Sequence, residues 1–389
     1  MKPELLAPAG DFPSMHAAVT SGAGAVYFGL QEFNMRDQAK NFRVRDLPKI
    51  SKVCGGVKKY VTLNTIVYDA EVPRIEALLR KIRKYVDAVI CWDPSVIMLC
   101  KKHKIPFHIS TQASIANAQA ARFYKRLGAE RVVLARELSL KQVRAIAKIV
   151  PVEIFIHGAM CVSVSGRCFL SQHLFQRSAN RGQCVQVCRR PYTVRDGEGR
   201  ELKVTNHHIF SAKDLCALPI IRKLKKAGIK AFKIEGRSRD ANYVSTVVKV
   251  YRKAIDYTLS KKETQACIQE LERVYNKGFS TGFLLGTPTA DDYSTLEHSG
   301  AREHKQFVGK VVNYYPKKEV AIIQLMSGLS SGEIVLVEGH TTGFIKIAAK
   351  DIWKDGKIVV TASKGDLISF RSPKVRRNDL VYVLRSKPL

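Results

Sequence analysis

The chain has 389 residues, 46% of them hydrophobic and 25% charged, a balance that excludes a largely disordered chain and suits one large domain with a smaller one. Its 65 Lys and Arg against 34 Asp and Glu give a formal charge of +31 spread along the whole length, which favours a polyanionic partner. The longest apolar runs, such as AVICW, fall far short of a membrane span, and MKPELLAPAG lacks the apolar core of a signal peptide, so a cytoplasmic protein with no membrane partner is expected.

Residues 1 to about 236 alternate short β-rich apolar runs with amphipathic stretches. The predicted strands are Glu4–Ala7, Ala25–Gly29, Tyr60–Asn64, Ala88–Cys91, Phe107–Ser110, Arg131–Ala135, Val152–His157 and Ala231–Glu235. Between most of them lies a helical pattern such as PRIEALLRKIRKYV or SLKQVRAIAKIV, with apolar residues three and four apart. Repeated β-then-α units imply a parallel sheet, and eight of them imply an α/β fold of the TIM-type (β/α) barrel kind over residues 1–300. The seventh unit breaks the rhythm. There a cysteine-rich insertion, about 158–205, and a glycine-rich hairpin, VRDGEGRELKV, replace a plain helix, and insertions of that kind carry function.

Helical patterns return in RDANYVSTVVKVYRKAIDYTLS and TQACIQELERVYN, and KGFSTGFLLGTPTADDY reads as a linker or a wrapped loop. From about Gln306 short alternating runs such as FVGKVVNYY, EVAIIQLM and DLVYVLR predict a small all-β domain, a barrel, over 305–389. It is basic as well, with KVRR at Lys374 to Arg377, so it is either an RNA-binding module or a cap on the main barrel.

In a β/α barrel the active site gathers at the carboxyl ends of the strands. Those ends carry Asp11, then Glu32, Asn34 and Arg36, then Asn64 and Thr65, Asp93, Thr111 and Gln112, Arg136 and Glu137, His157, and finally Glu235 and Arg237. Each taken singly is more often a helix cap or a loop hydrogen bond than a catalyst. Together, a cavity holding Arg36, Arg136 and Arg237 with Glu32 and Glu235 is suited to bidentate binding of a small carboxylate. The catalytic set expected is Glu32, Asn34, Arg36, His157, Glu235 and Arg237.

The insertion holds Cys161, Cys168, Cys184 and Cys188 in the spacing C-x6-C-x15-C-x3-C. Four thiolates can close a zinc site or hold an iron-sulfur cluster, and the spacing is too wide for a zinc ribbon. The reading is either a zinc clip for the long loop or a redox cluster beside the cavity. Five further cysteines, Cys54, Cys91, Cys100, Cys216 and Cys267, sit in apolar contexts that fit a reducing compartment. Of these, Cys216 is a fifth candidate ligand able to displace Cys188, although Leu215, Ala217 and Leu218 around it suit the start of a buried helix. Arg167, Arg177, Arg181, Arg189 and Arg190, with Gln183 and Gln186, ring the cysteines and can pair with phosphates or stack on an unpaired base; the plainer alternative is that they offset thiolate charge. A peptidase is the competing chemistry, since His157 precedes Cys161 by four residues and Ser163 and Ser165 follow. Neither serine sits in G-x-S-x-G, however, and no H-E-x-x-H occurs.

The segments ELLAPAGD, GAVYFGLQEFNMR, EIFIHGAMCVSVSGRCFLS, SANRGQCVQVCRRPY, SAKDLC and KIEGR together resemble the collagenase-like peptidase family, peptidase family U32, from the amino terminus to about residue 290, and the final β domain looks like that family's small carboxyl-terminal domain. Despite its name, the family includes RNA hydroxylases that add oxygen to carbon five of a pyrimidine, in tRNA wobble uridine or rRNA cytidine. Other members act on a ubiquinone precursor or are described as collagen-degrading proteases. The resemblance implies a 4Fe-4S cluster on Cys161, Cys168, Cys184 and Cys188, with Cys216 the open question about the fourth ligand. For the RNA enzymes it also implies dependence on prephenate, a small carboxylate co-substrate. The charge of +31 fits an RNA substrate better than a membrane quinone precursor. The expectation is therefore an iron-sulfur RNA pyrimidine hydroxylase with tRNA or rRNA as partner and scope for a redox partner protein. A peptidase using Cys161 or a serine is the first alternative, and a non-catalytic RNA-binding protein with structural zinc the second.

Overall fold

The computed structural model describes residues 2–37, 39–201 and 208–387. Strands β1 (Glu4–Ala9), β2 (Ala25–Gly29), β3 (Lys58–Leu63), β4 (Ala88–Cys91), β5 (Phe107–Ile109), β6 (Arg131–Val133) and β7 (Val152–Gly158) pair in that order, all parallel. The next strand, β8 (Asp214–Cys216), runs antiparallel to the end of β7. Strand β9 (Ala231–Ile234) pairs in parallel with both β7 and β1, which closes an eight-stranded ring with β8 outside it. The fold is thus the expected TIM-type barrel.

Six helices follow the first six strands: α1 (Phe12–Thr20), α2 (Leu47–Cys54), α3 (Val72–Ile82), α4 (Pro94–Lys102), α5 (Ala118–Arg126) and α6 (Leu140–Ala147). Their starts are written in the sequence. Asp11, Asp93 and Ser139 accept from backbone N–H groups of α1, α4 and α6, and proline opens α1 and α4. Two polar strand-end candidates, Asp11 and Asp93, are therefore helix caps. The apolar faces of strands and helices, among them Phe28, Val61 and Ile156 with Met15, Leu79 and Val143, form one buried cluster around the ring. Each such side chain contributes roughly 1.5–3 kcal/mol on burial.

Inside the ring the packing is partly ionic. Lys233 Nζ donates to Glu153 Oε1 at 2.9 Å and Arg131 Nη1 to Glu153 Oε2 at 3.1 Å and Glu4 Oε1 at 2.6 Å. Tyr60 donates to Glu4, and Tyr27 lies under the Lys233 ammonium. Glu4, Tyr60 and Arg131 also line a cavity of about 550 Å³ at the amino-terminal end of the barrel, and the site lies at the other end.

Among its described residues the insertion contains one short α-helix, α7 (Leu170–Phe175), and Arg195 pairs with Glu201 at the start of the glycine-rich hairpin. The rest of that hairpin's return strand, from residue 202, lies outside the described residues. Cys216 does not open a helix. The carboxyl end of β7 projects past the ring as a free edge, so Asp214–Cys216 pairs with it as β8, and α8 (Ile221–Lys225) begins later. The two long helical patterns become α9 (Ala241–Asp256) and α10 (Lys261–Glu272). The following segment is a wrapped loop: β10 (Phe279–Ser280) adds to β8, and Ala212 bridges to Tyr293.

The chain ends in an all-β unit. Eight antiparallel strands between Glu303 and Ser386 form one sheet, a two-stranded sheet joins Leu329–Ser330 to Thr361–Ala362, and their inward residues share one core. The unit docks on the barrel, since Leu336 and Phe344 join the barrel core and Lys49 Nζ donates to the His340 carbonyl at 2.8 Å. Lys374, Arg376 and Arg377 of KVRR stay exposed. Among the described residues no helix is long and apolar enough to cross a membrane.

Candidate active site

At the carboxyl ends of the barrel strands the chain encloses a cavity of about 620 Å³. Its floor is made by strand-end residues Arg36, Thr111, Arg136, Glu137 and Glu235. One wall is the insertion, with all four of Cys161, Cys168, Cys184 and Cys188, and the opposite wall is the segment after β10, through Phe283, Pro288, Asp292 and Tyr293. Two glycines let the insertion approach this closely. At Gly158 (φ +103°) a Cβ would lie 2.5 Å from the Glu235 carbonyl, and at Gly182 (φ +93°) 2.4 Å from the Asn34 carbonyl, where the Asp37 amide donates to the Gly182 carbonyl.

Glu235 is the electrostatic centre of the floor. Arg36 donates to its Oε1 through Nε at 3.2 Å and Nη2 at 2.9 Å, while Arg136 stands 4.0 Å from Oε2 with its guanidinium 3.9 Å over the Phe155 ring. Burial alone would raise the Glu235 pKa, but Arg36 and Arg136 more than offset it and hold the carboxyl down to about 2. Arg237 is placed differently. It is 3% exposed and acts as an internal fork, donating to Thr62 Oγ1 at 2.8 Å, Asn41 Oδ1 at 2.8 Å and the Asn34 side chain, and burial pushes its pKa down to about 10. Asn34 passes the contact on, since its Oδ1 accepts from the Arg36 amide at 3.0 Å. Asn34 and Arg237 therefore brace the loop that aims Arg36 and do not line the cavity themselves. Asn64 adds a second brace, accepting from the Met35 amide and donating to Ser110 and Gln112.

The cysteines divide into two groups. The five outside the insertion, Cys216 included, are buried, whereas Cys161 is exposed and Cys168, Cys184 and Cys188 are half-buried. Cys216 faces the core beneath β7, where its sulfur accepts from the Tyr251 hydroxyl at 3.7 Å and burial pushes its thiol up to about 11. Cys188 stays with the other three, whose charges act on it, although burial pushes its free thiol up to about 11 too. The sulfurs of Cys168 and Cys184 each accept a backbone N–H from two residues on, Leu170 and Gln186, both at 3.4 Å. Amides aimed at sulfur in this way stabilise thiolates and suit metal or cluster ligation. Among the described residues no three His, Cys, Asp or Glu side chains already converge on one metal-sized point, so the four thiols share a cavity without forming a closed ligand set. The donor set fits a cluster or metal by its chemistry.

Several expected residues lie elsewhere. Glu32 is on the surface, paired with Arg74 at 2.8 Å. His157 is 1% exposed beneath the floor among Tyr243, Tyr251 and Phe279, and burial drives its pKa down to about 3. Of the five arginines of the insertion, three are tied into the fold. Arg167 donates to the Gln112 carbonyl and covers Trp92, Arg181 pairs with Glu71 at 2.5 Å, and Arg189 donates to the Met160 carbonyl at 2.8 Å and to Ala212. Arg177 and Arg190 are exposed. Thr65 and Thr111 are buried, Thr111 donating to the Leu134 carbonyl.

The cavity also holds residues that the strand-end rule does not reach. Lys213 and Arg239 line it without an ion pair among the described residues, and Asp292 enters from a segment that reads equally well as a linker. Glu137 is the odd carboxylate. Asp292 receives Ser280 and the Thr289 amide, and Glu235 receives Arg36, yet Glu137 Oε2 is buried with no hydrogen-bond partner among the described residues.

A family model described as peptidase family U32 matches residues 10–294. Over 403 residues, 97% of each chain, the sequence is 39% identical to a protein named collagenase from Porphyromonas gingivalis. It is 35% identical to tRNA hydroxylation protein P1 of Bacillus subtilis, over 91% of this chain and 87% of that one. It is 34% identical to the 23S rRNA 5-hydroxycytidine C2501 synthase of Escherichia coli, over 88% of this chain and 53% of that one.

Proposed function

Because the chain belongs to peptidase family U32, whose members similar to it carry both collagenase and RNA hydroxylation names, we propose that it is an RNA hydroxylase that installs a hydroxyl on carbon five of a pyrimidine in tRNA or rRNA, in the cytoplasm. The observation that carries this reading is the composition of the cavity: four thiols and five cations, Arg36, Arg136, Arg189, Lys213 and Arg239, with no histidine among the described residues of its lining. A cysteine or serine peptidase needs a base beside its nucleophile. Here Cys161 Sγ has Ser163 Oγ at 3.0 Å, Ser165 has Ser114 at 2.9 Å, and His157 is sealed below the floor.

In this reading Cys161, Cys168, Cys184 and Cys188 hold a 4Fe-4S cluster. When bound by these four cysteines, such a cluster would supply one-electron redox chemistry beside the cavity. Arg36 and Arg136 keep Glu235 ionised, so the floor carries a fixed charge pattern that needs no rearrangement during reaction. Arg136, Lys213 and Arg239 offer N–H groups to a small carboxylate co-substrate such as prephenate. The target base, unreachable inside a stack, is turned out into the cavity. Replacing C–H by C–OH is a two-electron oxidation of the base, so an oxygen source and an electron acceptor must enter with it, and a redox partner protein restores the resting state.

Two measurements test the proposal. Anaerobically purified protein is expected to be brown, with about four iron and four sulfide per chain, and one zinc with no chromophore overturns the cluster. Nucleoside mass spectrometry of tRNA and rRNA from a deletion strain is expected to lack one 5-hydroxypyrimidine. An unchanged profile with gelatin cleavage by the purified protein establishes the peptidase instead.

A further inference from the structure

The stretch that carries the cysteines also carries an unusual surface. Val162, Val164, Phe169, Leu170, Leu174 and Phe175 are all exposed, Phe169 by 73%, and among the described residues no other stretch of that length presents as many exposed large apolar side chains. Soluble proteins rarely display such a patch without a partner for it. This one stands at the rim of the cavity, because Val162, Val164 and Leu170 line it between the cysteines.

The charge around the patch says what kind of partner fits. From Ile154 to Arg195 the sequence contains no Asp or Glu, while Arg177 and Arg190 of that stretch are exposed and uncommitted to ion pairs among the described residues. The Arg190 guanidinium lies 5.0 Å over the Phe175 ring, so a cation and an aromatic face are presented side by side. Aromatic residues and arginine also mark protein interfaces, but charge of a single sign in this segment, within a chain of net charge +31, points to a polyanion. An aromatic face with arginines and no carboxylate in its own segment suits single-stranded nucleic acid, bases on rings and phosphates on guanidinium groups.

We propose that Phe169 and the Phe175–Arg190 pair form a stacking platform for unpaired nucleotides next to the base being modified, so that the substrate is a single-stranded loop of RNA and not a continuous helix. This rests on the RNA hydroxylase reading above and adds the residues that hold the nucleotides flanking the modified base. The three arginines tied into the fold shape the platform's support, and Arg177 and Arg190 reach the phosphates.

The test is binding of the full chain to an unstructured pyrimidine-rich RNA of about 15 nucleotides and to the blunt duplex of the same sequence. Phe169→Ala is expected to weaken binding to the single strand by about 5- to 100-fold and to change duplex binding less than about twofold, with Phe169→Trp restoring the single-strand affinity. The salt dependence is expected to keep its slope in Phe169→Ala and to lose about one unit in Arg190→Gln, since only the second removes a phosphate contact. Because Phe169 is exposed, these variants keep their fold, which circular dichroism verifies. Wild-type affinity in Phe169→Ala, or equal losses on single strand and duplex, overturns the platform and leaves the hydroxylase reading standing. A wild-type chain that binds neither RNA at low salt overturns both. A Phe169→Ala protein that binds RNA normally but is no longer reduced by a partner reductase makes the patch a protein-docking face and overturns the proposal.

Discussion

Arg36 and Glu235 are brought together from the second and the last barrel strand, and two guanidinium nitrogens of Arg36, Nε and Nη2, share the single oxygen Oε1 of Glu235 at 3.2 and 2.9 Å. The second oxygen accepts from the Tyr27 hydroxyl at 3.4 Å and has Arg136 at 4.0 Å. The Glu235 side chain is 12% exposed and that of Arg136 14%, so Glu235→Gln strands a cation in a place that water reaches poorly. The variant is expected to lose about 2–3 kcal/mol of stability in urea denaturation and to lose RNA modification. Arg36→Met with Glu235→Gln is expected to cost less than the sum of the single changes. Strict additivity would show that the pair does not couple.

Acid stability follows from the two carboxylates held lowest. Burial would raise the pKa of Glu153, but Lys233 and Arg131 more than offset it and hold it to about 2, as Arg36 and Arg136 do for Glu235. Both folded values lie below the ordinary carboxylate value, so each group's contribution is present in full above about pH 4.5 and is lost as the pH falls toward 2. On the order of 3 kcal/mol is at stake for each. The denaturation midpoint is expected to be flat from pH 7 to about 5 and then to fall, and Glu153→Gln is expected to start lower and fall less steeply.

The cysteines separate by position. Serine in place of Cys161, Cys168, Cys184 or Cys188 is expected to abolish or strongly reduce bound iron and sulfide, because all four thiols line the cavity. Cys216→Ala is expected to retain both, since that sulfur sits in the core against Tyr251. Its cost is a small cavity, about 1 kcal/mol in thermal or urea unfolding. Full iron in Cys188→Ser together with loss of iron in Cys216→Ala would reverse the assignment.

How much of this was legible beforehand depended on how local each signal is. Strand and helix periods, caps such as Asp11 and Ser139, and the place of the cysteines after β7 are carried by neighbouring residues, and the ring could be drawn from them. Within the site, rank along a strand end did not reveal direction. Arg36 and Arg237 look equivalent in sequence, yet one faces the cavity and the other is a buried fork under Asn34, because Thr62 and Asn41 happen to meet it. His157 is separated from Cys161 because it still belongs to β7 and packs among Tyr243, Tyr251 and Phe279, whereas Cys161 lies beyond the strand's end, a boundary that the spacing of four does not show. Asp292 and Phe283 were beyond reach, since only the pairing of β10 with β8 turns that segment back over the barrel mouth.

Glu137 supplies the remaining prediction. Its Oε2 is buried without a partner among the described residues, and an unpaired acceptor in that position costs the folded state about 1–3 kcal/mol. Beside it in the floor, Glu235 accepts from Arg36 and Tyr27, whereas Glu137 Oε2 accepts from no group among the described residues. A pyrimidine turned into the cavity brings such a donor, N3–H in uracil or the N4 amino group in cytosine. Glu137→Leu, which removes the orphan oxygen while keeping much of the volume, is expected to raise the unfolding midpoint or leave it unchanged. It is also expected to lower kcat/KM for RNA modification by about 10- to 100-fold, the cost of leaving a buried donor of the base unpaired. Iron content and single-strand affinity measured on the same preparation are expected to stay at the wild-type level, since neither the cysteines nor the rim is touched. Stability that falls by several kcal/mol with activity unchanged would mean that Glu137 is a structural residue whose partner is water.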